Sequence, residues 1–234
     1  GGGEGMDPSK DIVFGHEFCA EILEHGIGSA KTLKAGTRVV SVPVLVGPNG
    51  VETVGYSNRV PGGFAENMVL SEAMLLEVPN GLASDAAALT EPLAVGLHAV
   101  NLANLETAGV AVVIGCGPVG LAVIAALKAR GFGPVLAADF SPVRRASAEA
   151  IGADIVIDPA VSSPYGRWSE FAVPANGGER GMVEMMGGVP RNAVIFECVG
   201  VPGMLQKIIE GAPTNAQIIV VGVCMELDQI EPAV

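Results

Sequence analysis

The stretch from Val110 to Asp139 constrains the fold of this chain more than any other. It opens with an apolar, β-branched run, Val110 to Ile114, that has the length of a fully buried strand. A glycine-rich turn and an Ala-rich segment of helical pattern follow, and a second apolar strand runs from Pro134 to Ala138. That strand ends at Asp139, about 20 residues after the glycines. This order of strand, glycine turn, helix, strand and acid predicts a dinucleotide-binding unit.

Each part of the turn has a physical role in such a unit. The first glycine allows the tight turn, the second lets the backbone approach a pyrophosphate, and the third lets the helix pack on the strand. The N–H groups at the start of the helix then hold the phosphates. The turn residues that we predict to bind the cofactor are Gly115, Gly117, Pro118, Val119 and Gly120.

Asp139 is predicted to select the cofactor. Its carboxylate suits the hydroxyl groups of the adenosine ribose and would repel a 2′-phosphate, which favours NAD. Arg144 is predicted to flank the same ribose, and together with Arg145 it leaves some tolerance for NADP. A solvated helix face is the alternative interpretation of both arginines.

Two other interpretations of this stretch are weaker. Residues 110–127 are almost free of polar side chains, as a membrane span would be, but three glycines and Pro118 interrupt them and no second span accompanies them. A tight turn that binds nothing is the other alternative. The placement of Asp139 favours the dinucleotide site over both.

Composition excludes several classes of partner. The 234 residues could form one large domain or two small ones, and their 50% hydrophobic content fits buried parallel strands. The net charge of −12 argues against nucleic acid and anionic membranes as partners. The four cysteines form no CxxC pair, which predicts a reduced, cytoplasmic setting. Because the chain begins Gly-Gly-Gly-Glu-Gly, we expect a piece of a longer protein.

The pattern of the chain changes near residues 106–109. Upstream, β-rich runs at 11–25, 36–43 and 64–70 predict a small β-barrel or sandwich, with a loop at 47–62. Downstream, strands and helices alternate, which predicts a parallel α/β sheet. Five strands are predicted there, one fewer than a six-stranded doubly wound sheet requires.

Four motifs follow one another along the chain: Gly-His16-Glu17, Thr-Glu91-Pro-Leu-Ala-Val-Gly-Leu-His-Ala-Val, the glycine turn, and Phe-Glu-Cys198-Val199-Gly200 with Val-Val-Gly222-Val. In these motifs and their order, the chain resembles the medium-chain, zinc-dependent alcohol dehydrogenase family over essentially its whole length. The Glu91-Pro pattern is similar to the polyol and threonine dehydrogenase branch.

The resemblance implies an α/β fold: a Rossmann-type doubly wound parallel sheet plus part of a GroES-like β-rich catalytic domain. Residues 1–105 correspond to the GroES-like domain, incomplete at its N-terminus. Residues 106–234 correspond to the NAD-binding domain without its last strand. In this domain Val199 and Gly222 lie at the carboxyl ends of strands, where an open α/β sheet binds its ligand.

The resemblance also implies one catalytic zinc ion. His16 is then a ligand, Glu17 an outer or exchanging ligand beside it, and Glu91 takes the third ligand position. Catalytic zinc takes nitrogen, oxygen and sulfur ligands, keeps one position open, and acts as a Lewis acid. Without the other motifs, a His-Glu pair on a strand is more often a hydrogen-bonded structural pair.

The chain departs from the family in two places. Relatives carry a ligand cysteine upstream of the His-Glu motif, and residues 1–15 have none; Cys19 is too close to His16 to replace it. Many relatives also carry four close cysteines for a structural zinc. Residues 43–62 have none, so we expect no structural zinc.

The implied activity is zinc-assisted hydride transfer between a secondary alcohol or polyol and NAD. We expect a small-molecule alcohol or carbonyl substrate and a homo-oligomer. The alternatives are a zinc-free, NADPH-dependent enzyme of the quinone-reductase type, and a non-catalytic NAD-binding module if the chain is complete as given. The loop with Tyr56, Ser57 and Asn58 either lines the substrate entrance or is surface, and we favour surface.

Overall fold

A computed structural model describes residue 7, residues 9–47 and residues 50–231 of the chain. The chain divides into two compact units, Gly1–Pro92 and Leu93–Val234. The first unit is built mainly of short antiparallel strands, and the second alternates parallel strands with helices. The α/β class with a parallel sheet, predicted from the sequence, is thereby confirmed.

The first unit contains a three-stranded antiparallel sheet in the order β1-β2-β5 and a separate β3-β4 hairpin. Phe18, Val54 and Val60 form its main buried cluster, and Val40, Val78 and Ala87 form a second one. Its elements are β1 (Ala20–Glu21), β2 (Arg38–Ser41), β3 (Val44–Gly47), β4 (Gly50–Thr53), a 3-10 helix (Glu72–Met74), β5 (Leu75–Glu77), α1 (Ser84–Ala88) and the start of α2 (Thr90–Leu102).

Several strand predictions for this unit are wrong. Of residues 11–25 only β1 is a strand, residues 64–70 form none, and the segment 47–62, predicted as a loop, contains β4. Residues 13–15 and 62–64 do pair through backbone hydrogen bonds. Gly15, with a φ of +103°, interrupts the extended backbone there, so the pairing stays irregular.

The second unit is organised by a five-stranded parallel sheet in the order β10-β9-β6-β7-β8. The strand order reverses between β6 and β9, as it does in a doubly wound sheet. After α2, the elements of this unit are β6 (Ala108–Ile114), α3 (Pro118–Ala129), β7 (Val135–Ala138), α4 (Pro142–Ile151), β8 (Ile155–Ile157), a 3-10 helix (Trp168–Phe171), α5 (Gly177–Met185), β9 (Asn192–Glu197), α6 (Met204–Gly211) and β10 (Gln217–Val220).

Strand β6 lies at the centre of this sheet, and all seven of its residues are buried. Because side chains alternate along a strand, Ala111 and Val113 join a cluster with α3, whereas Val110 and Val112 join a cluster with Ile208 of α6 on the other face. The apolar run of the sequence is thus explained by burial on both faces. Within the described part of the chain, no helix is long and apolar enough to cross a membrane.

Helix ends follow the capping residues of the sequence. Ser141 caps α4, accepting a hydrogen bond from the Arg144 N–H, and Gly152 ends the helix in the left-handed region. Asn176 caps α5 in the same way, accepting a hydrogen bond from the Glu179 N–H.

Three proton donors of the second unit are poorly solvated. Burial raises the pKa of the Cys116 thiol to about 12, and the Asp139 carboxylate adds to this shift. Burial also raises the pKa of Cys198 far above its ordinary range and that of Tyr165 to about 12. In all three cases the folded protein disfavours the anion.

We predict that the protein loses stability at alkaline pH. In the unfolded chain the thiols ionise near their ordinary pKa of about 8.5 and the phenol near about 10. The folded chain keeps these protons, so the unfolded state binds fewer and the free energy of unfolding falls as pH rises above about 8.5. Each retained proton contributes a slope of about 1.4 kcal/mol per pH unit. Urea denaturation between pH 7 and 11 measures this slope.

The exposed Cys224 provides the matched control. Replacing it with serine should leave the alkaline slope unchanged, whereas Cys198→Ala should make it shallower by one proton. A free energy of unfolding that stays flat from pH 8 to 11 would contradict the burial of these groups.

Candidate functional site

A His-Glu pair and a carboxylate that is distant in sequence meet in the first unit. His16, Glu17 and Glu91 each offer one ligand atom, and these atoms lie within 4.8 Å of one another. Among residues 7, 9–47 and 50–231, no other group of three or more His, Cys, Asp or Glu side chains is arranged so that it could hold a metal ion. The structure thus brings together the three residues that the family resemblance implied as ligands.

Local structure brings each of these residues into place. Gly15 turns the backbone directly before His16, and Phe18, two residues further on, is anchored in the core of the unit. Glu91 lies in the first turn of α2, where the Thr90 hydroxyl donates to the Ala87 carbonyl oxygen and joins α1 to α2. The histidine therefore comes from an irregular turn, and the second carboxylate from a helix start.

The electrostatics of the cluster suit a divalent cation. Burial raises the pKa of Glu91 above its ordinary value; His16 lowers it in part, and the Glu17 carboxylate raises it again. Two carboxylates this close repel each other, and a dication between them would remove that repulsion. One imidazole nitrogen and two carboxylate oxygens form a donor set that zinc accepts, with room for a further ligand.

The loop after β4 packs directly on the segment that carries His16. The Tyr56 ring lies 5.1 Å from the His16 ring, centroid to centroid, and is 48% exposed. Ser57 is buried. The Asn58 side chain accepts a hydrogen bond from the Asp7 N–H at 2.6 Å and donates to three carbonyl oxygens of the segment before His16. The favoured interpretation of this loop as mere surface is therefore wrong for Ser57 and Asn58.

The glycines of this loop explain why it fits so closely. A Cβ atom on Gly55 would lie 2.5 Å from the Gly15 carbonyl oxygen, and one on Gly62 would lie 2.3 Å from it. From the sequence, the segment 47–62 was only a loop. The spacing of its glycines says nothing about which backbone they approach, so the contact between Tyr56 and His16 could not be predicted.

Cys19 does not contribute to the cluster. It is half-buried and packs against Val40, Val78 and Ala87. The sequence-based view that Cys19 cannot replace the family's ligand cysteine agrees with this position.

The glycine turn of the second unit has the steric properties that the sequence predicts. Gly115 has a φ of +91°, and a Cβ atom on it would lie 2.8 Å from Val199 Cγ2. A Cβ atom on Gly120 would lie 1.9 Å from the Gly115 carbonyl oxygen, so only glycine fits. Gly117 differs from both, since nothing lies within 4 Å of its Cβ position. The space beside Gly117 is therefore open to an incoming group.

Helix α3 begins at this turn with an uncapped N-terminus. Pro118 occupies the first turn, where it gives up no helical hydrogen bond, and no side chain caps the helix at Gly117. Uncapped N–H groups and the helix dipole together favour an anion. Val119 lies in the same first turn and is half-buried. The turn thus has the steric and electrostatic properties of a pyrophosphate site.

Asp139 lies at the end of β7 and is only 9% exposed. One carboxylate oxygen accepts the Cys116 N–H at 2.8 Å and the other accepts the Ser141 N–H at 2.7 Å. Each carboxylate oxygen can accept a second hydrogen bond, so capacity for ribose hydroxyls remains. The carboxylate therefore holds the glycine turn and retains acceptor capacity.

The two arginines of α4 have different surroundings. The Arg144 guanidinium is 58% exposed and lies 3.8 Å from the Asp139 carboxylate. Arg145 donates to the carbonyl oxygens of Asp139 and Phe140 and pairs with Asp158 at 2.9 Å. Arg145 is thus a structural residue, and Arg144 is the one that could reach a cofactor.

Val199 and Gly222 follow the carboxyl ends of β9 and β10, on the other side of the strand-order reversal. Gly222 approaches Gly200 so closely that a Cβ atom on it would lie 2.4 Å from the Gly200 nitrogen. Glu197, the last residue of β9, lies beneath both turns. No motif of the sequence points to Glu197, although an acid that ends an apolar run is a usable signal.

Comparisons with known proteins agree with both units. Residues 3–80 match the family model described as alcohol dehydrogenase GroES-like domain, and residues 118–233 match the one described as zinc-binding dehydrogenase. The chain therefore belongs to the zinc-type medium-chain alcohol dehydrogenase family, as the resemblance predicted.

Individual relatives carry polyol and diol dehydrogenase names. The chain is 35% identical over 229 residues to (R,R)-butanediol dehydrogenase of Bacillus subtilis, covering 94% of this chain and 61% of that protein. It is 28% identical over 233 residues to sorbitol dehydrogenase of Homo sapiens, with coverages of 94% and 61%. The chain thus spans about 60% of the length of these relatives.

Solved structures give the same result. The crystal structure of galactitol-1-phosphate dehydrogenase from Escherichia coli matches with a TM-score of 0.76 and 28% identity, covering 95% of this chain and 63% of that one. The structure of 2R,3R-butanediol dehydrogenase from Bacillus subtilis matches with a TM-score of 0.71 and 33% identity, with coverages of 94% and 60%.

We predict opposite consequences for alanine at two glycines of the turn. Gly120→Ala should lower the free energy of unfolding by about 3 kcal/mol, because its Cβ would overlap the Gly115 carbonyl oxygen. Gly117→Ala should change stability by less than about 0.5 kcal/mol. It should nevertheless weaken NADH binding, since its methyl group would enter the space that a pyrophosphate needs.

Urea denaturation and NADH titration on the same preparations separate the two effects. Gly177→Ala is the matched control for Gly117→Ala, because nothing lies within 4 Å of the Cβ position of Gly177. Gly131, which follows α3, is unsuitable as a control because its φ is positive. Normal NADH affinity in Gly117→Ala would contradict a pyrophosphate site at this turn.

Proposed function

We propose that this chain carries the metal and cofactor sites of a zinc-assisted oxidoreductase that transfers hydride between a secondary alcohol or polyol and NAD. One observation carries the proposal: His16, Glu17 and Glu91 converge to within 4.8 Å in a chain that also has the dinucleotide turn. Relatives named as butanediol and sorbitol dehydrogenases support the substrate class. We propose that residues 1–105 form the catalytic domain and residues 106–234 the NAD-binding domain.

The proposed ligands have separate tasks. His16 would supply the nitrogen donor and Glu91 a carboxylate held on a helix start, while the more exposed Glu17 would exchange in and out of the ligand set. A zinc ion bound there would act as a Lewis acid on the alcohol oxygen. Tyr56, whose ring lies against His16, would present an aromatic edge to the carbon skeleton of the substrate.

Asp139 is the residue that would make the protein prefer NAD to NADP. With both carboxylate oxygens already holding backbone N–H groups, this charge is fixed in position at the expected ribose site. It would accept ribose hydroxyls and repel a 2′-phosphate, so we propose NAD as the cofactor. We also propose a cytoplasmic homo-oligomer with one catalytic zinc and no structural zinc.

We predict that the chain binds about one zinc ion and that His16→Ala removes it, because the imidazole is the only nitrogen donor of the cluster. Elemental analysis after gel filtration measures the zinc content. His98→Ala is the matched control, since His98 is exposed and lies outside the cluster.

The zinc content distinguishes the proposed dehydrogenase from the alternative functions that need no zinc. Zinc lost in His16→Ala and kept in His98→Ala supports the dehydrogenase. A zinc-free wild-type chain that still binds NADH would instead favour the alternatives without zinc, a quinone-reductase-type enzyme or a nucleotide-binding module.

We predict that Asp139→Asn shifts cofactor preference toward NADPH. The amide keeps the shape of the side chain but removes the charge that opposes a 2′-phosphate, so the ratio of NADPH to NADH affinity should rise about tenfold. Fluorescence titration with both cofactors measures the ratio. Arg144→Ala, tested in parallel, should lower the remaining NADPH affinity, and an unchanged ratio in Asp139→Asn would exclude this role of the acid.

A further inference from the structure

Glu197 is a buried acid that the proposed chemistry does not use. It is the last residue of β9 and is only 3% exposed. In the part of the chain that the structure describes, it forms no ion pair. A buried carboxylate without a cation is costly unless hydrogen bonds satisfy it, so its contacts indicate what it does.

This one residue ties together the turns that follow two neighbouring strands. Its carboxylate oxygen Oε1 accepts the Val199 N–H at 2.7 Å and the Gly200 N–H at 2.8 Å. Its backbone carbonyl oxygen accepts the Val221 N–H at 2.8 Å and the Gly222 N–H at 2.9 Å. Four N–H groups of the turns after β9 and β10 therefore converge on Glu197.

Steric contacts leave little freedom between these turns. A Cβ atom on Gly222 would lie 2.6 Å from the second carboxylate oxygen, Oε2, of Glu197. A Cβ atom on Gly200, which has a φ of +70°, would lie 2.6 Å from the Val223 carbonyl oxygen. The Glu197 carboxylate thus fills the space beside Gly222, and the Val223 backbone fills the space beside Gly200.

The position of these turns defines which part of a dinucleotide they would meet. A doubly wound sheet binds one mononucleotide half on each side of the strand-order reversal. Asp139, the predicted ribose acceptor of the adenosine half, follows β7 on one side, and Glu197 ends β9 on the other. The turns held by Glu197 therefore lie on the nicotinamide half.

We propose that Glu197 is a positioning residue for the nicotinamide half of the cofactor. It acts through Val199, Gly200 and Gly222, whose backbone it holds in place before the cofactor arrives. The inference rests on the proposed function, because it takes the ligand of the crevice to be a nicotinamide dinucleotide. Hydrogen bonds to an ionised acceptor are about twice as strong as neutral ones, which explains why an acid rather than an amide suits this role.

Glu197→Gln tests the proposal with the least disturbance of shape. Its amide oxygen can still accept both N–H groups, but without charge, and its amino group would face Gly222 where Oε2 lies now. We expect NADH to bind about tenfold more weakly to Glu197→Gln and about a hundredfold more weakly to Glu197→Ala. Binding of AMP, which has only the adenosine half, should stay within about twofold of wild type.

The comparison of NADH with AMP separates positioning from a general structural role. Equal losses of NADH and AMP affinity, or no loss of either, would overturn the proposal. Glu184→Gln, at an exposed position of α5, is the matched control for an acid-to-amide change. A wild-type chain that bound neither NADH nor AMP would overturn the proposed function, and the cofactor role of Glu197 with it.

Amide hydrogen exchange of the ligand-free chain provides a second test. In Glu197→Gln the amides of Val199 and Gly200 should exchange about tenfold faster than in wild type, because their acceptor is weakened. The Cys116 amide, which donates to Asp139, should exchange at the wild-type rate. Unchanged exchange at Val199 and Gly200 would show that the carboxylate does not hold the turn, whatever the cofactor measurements gave.

Discussion

The contact between Gly120 and the Gly115 carbonyl oxygen is the constraint on which the dinucleotide crevice depends. Since a Cβ atom would lie 1.9 Å from that oxygen, the helix can approach the strand only because its first turn contains this glycine. The approach places the uncapped N-terminus of α3 close to the end of β6, a strand whose seven residues are all buried. A rigid, fully packed strand thus supports the backbone N–H groups that would bind phosphate.

Two strand-end carboxylates extend this arrangement to both halves of the crevice. Asp139 and Glu197 are both buried, and both accept backbone N–H groups of a neighbouring turn. They differ in which segments they connect. Asp139 accepts one N–H group on each carboxylate oxygen, from Cys116 in the glycine turn and from Ser141 at the start of α4. Glu197 accepts two N–H groups of the turn after β9 on Oε1 and two of the turn after β10 on its carbonyl oxygen. One acid therefore connects the glycine turn to α4, and the other connects the turns after β9 and β10.

The sequence predicts the second unit far better than the first, and the reason is physical. A central parallel strand such as β6 is buried on both faces, so its continuous apolar run is unmistakable, and capping residues such as Ser141 mark the helix ends. The strands of the first unit are two to four residues long. Their pairing depends on glycines such as Gly15, whose positive φ no periodicity reveals.

The same difference applies to the candidate sites. The glycine turn is contiguous in sequence, so its spacing alone predicts the local geometry. The cluster of His16 and Glu91 joins residues on a turn and a helix start, and only the family resemblance suggested that they meet. The contact of Tyr56 with His16 and the contacts of Glu197 escaped prediction because each joins two separate segments. Burial strengthens the electrostatic interactions at such sites. The desolvation that raises the pKa of Glu91 would also strengthen the attraction between its carboxylate and a bound dication.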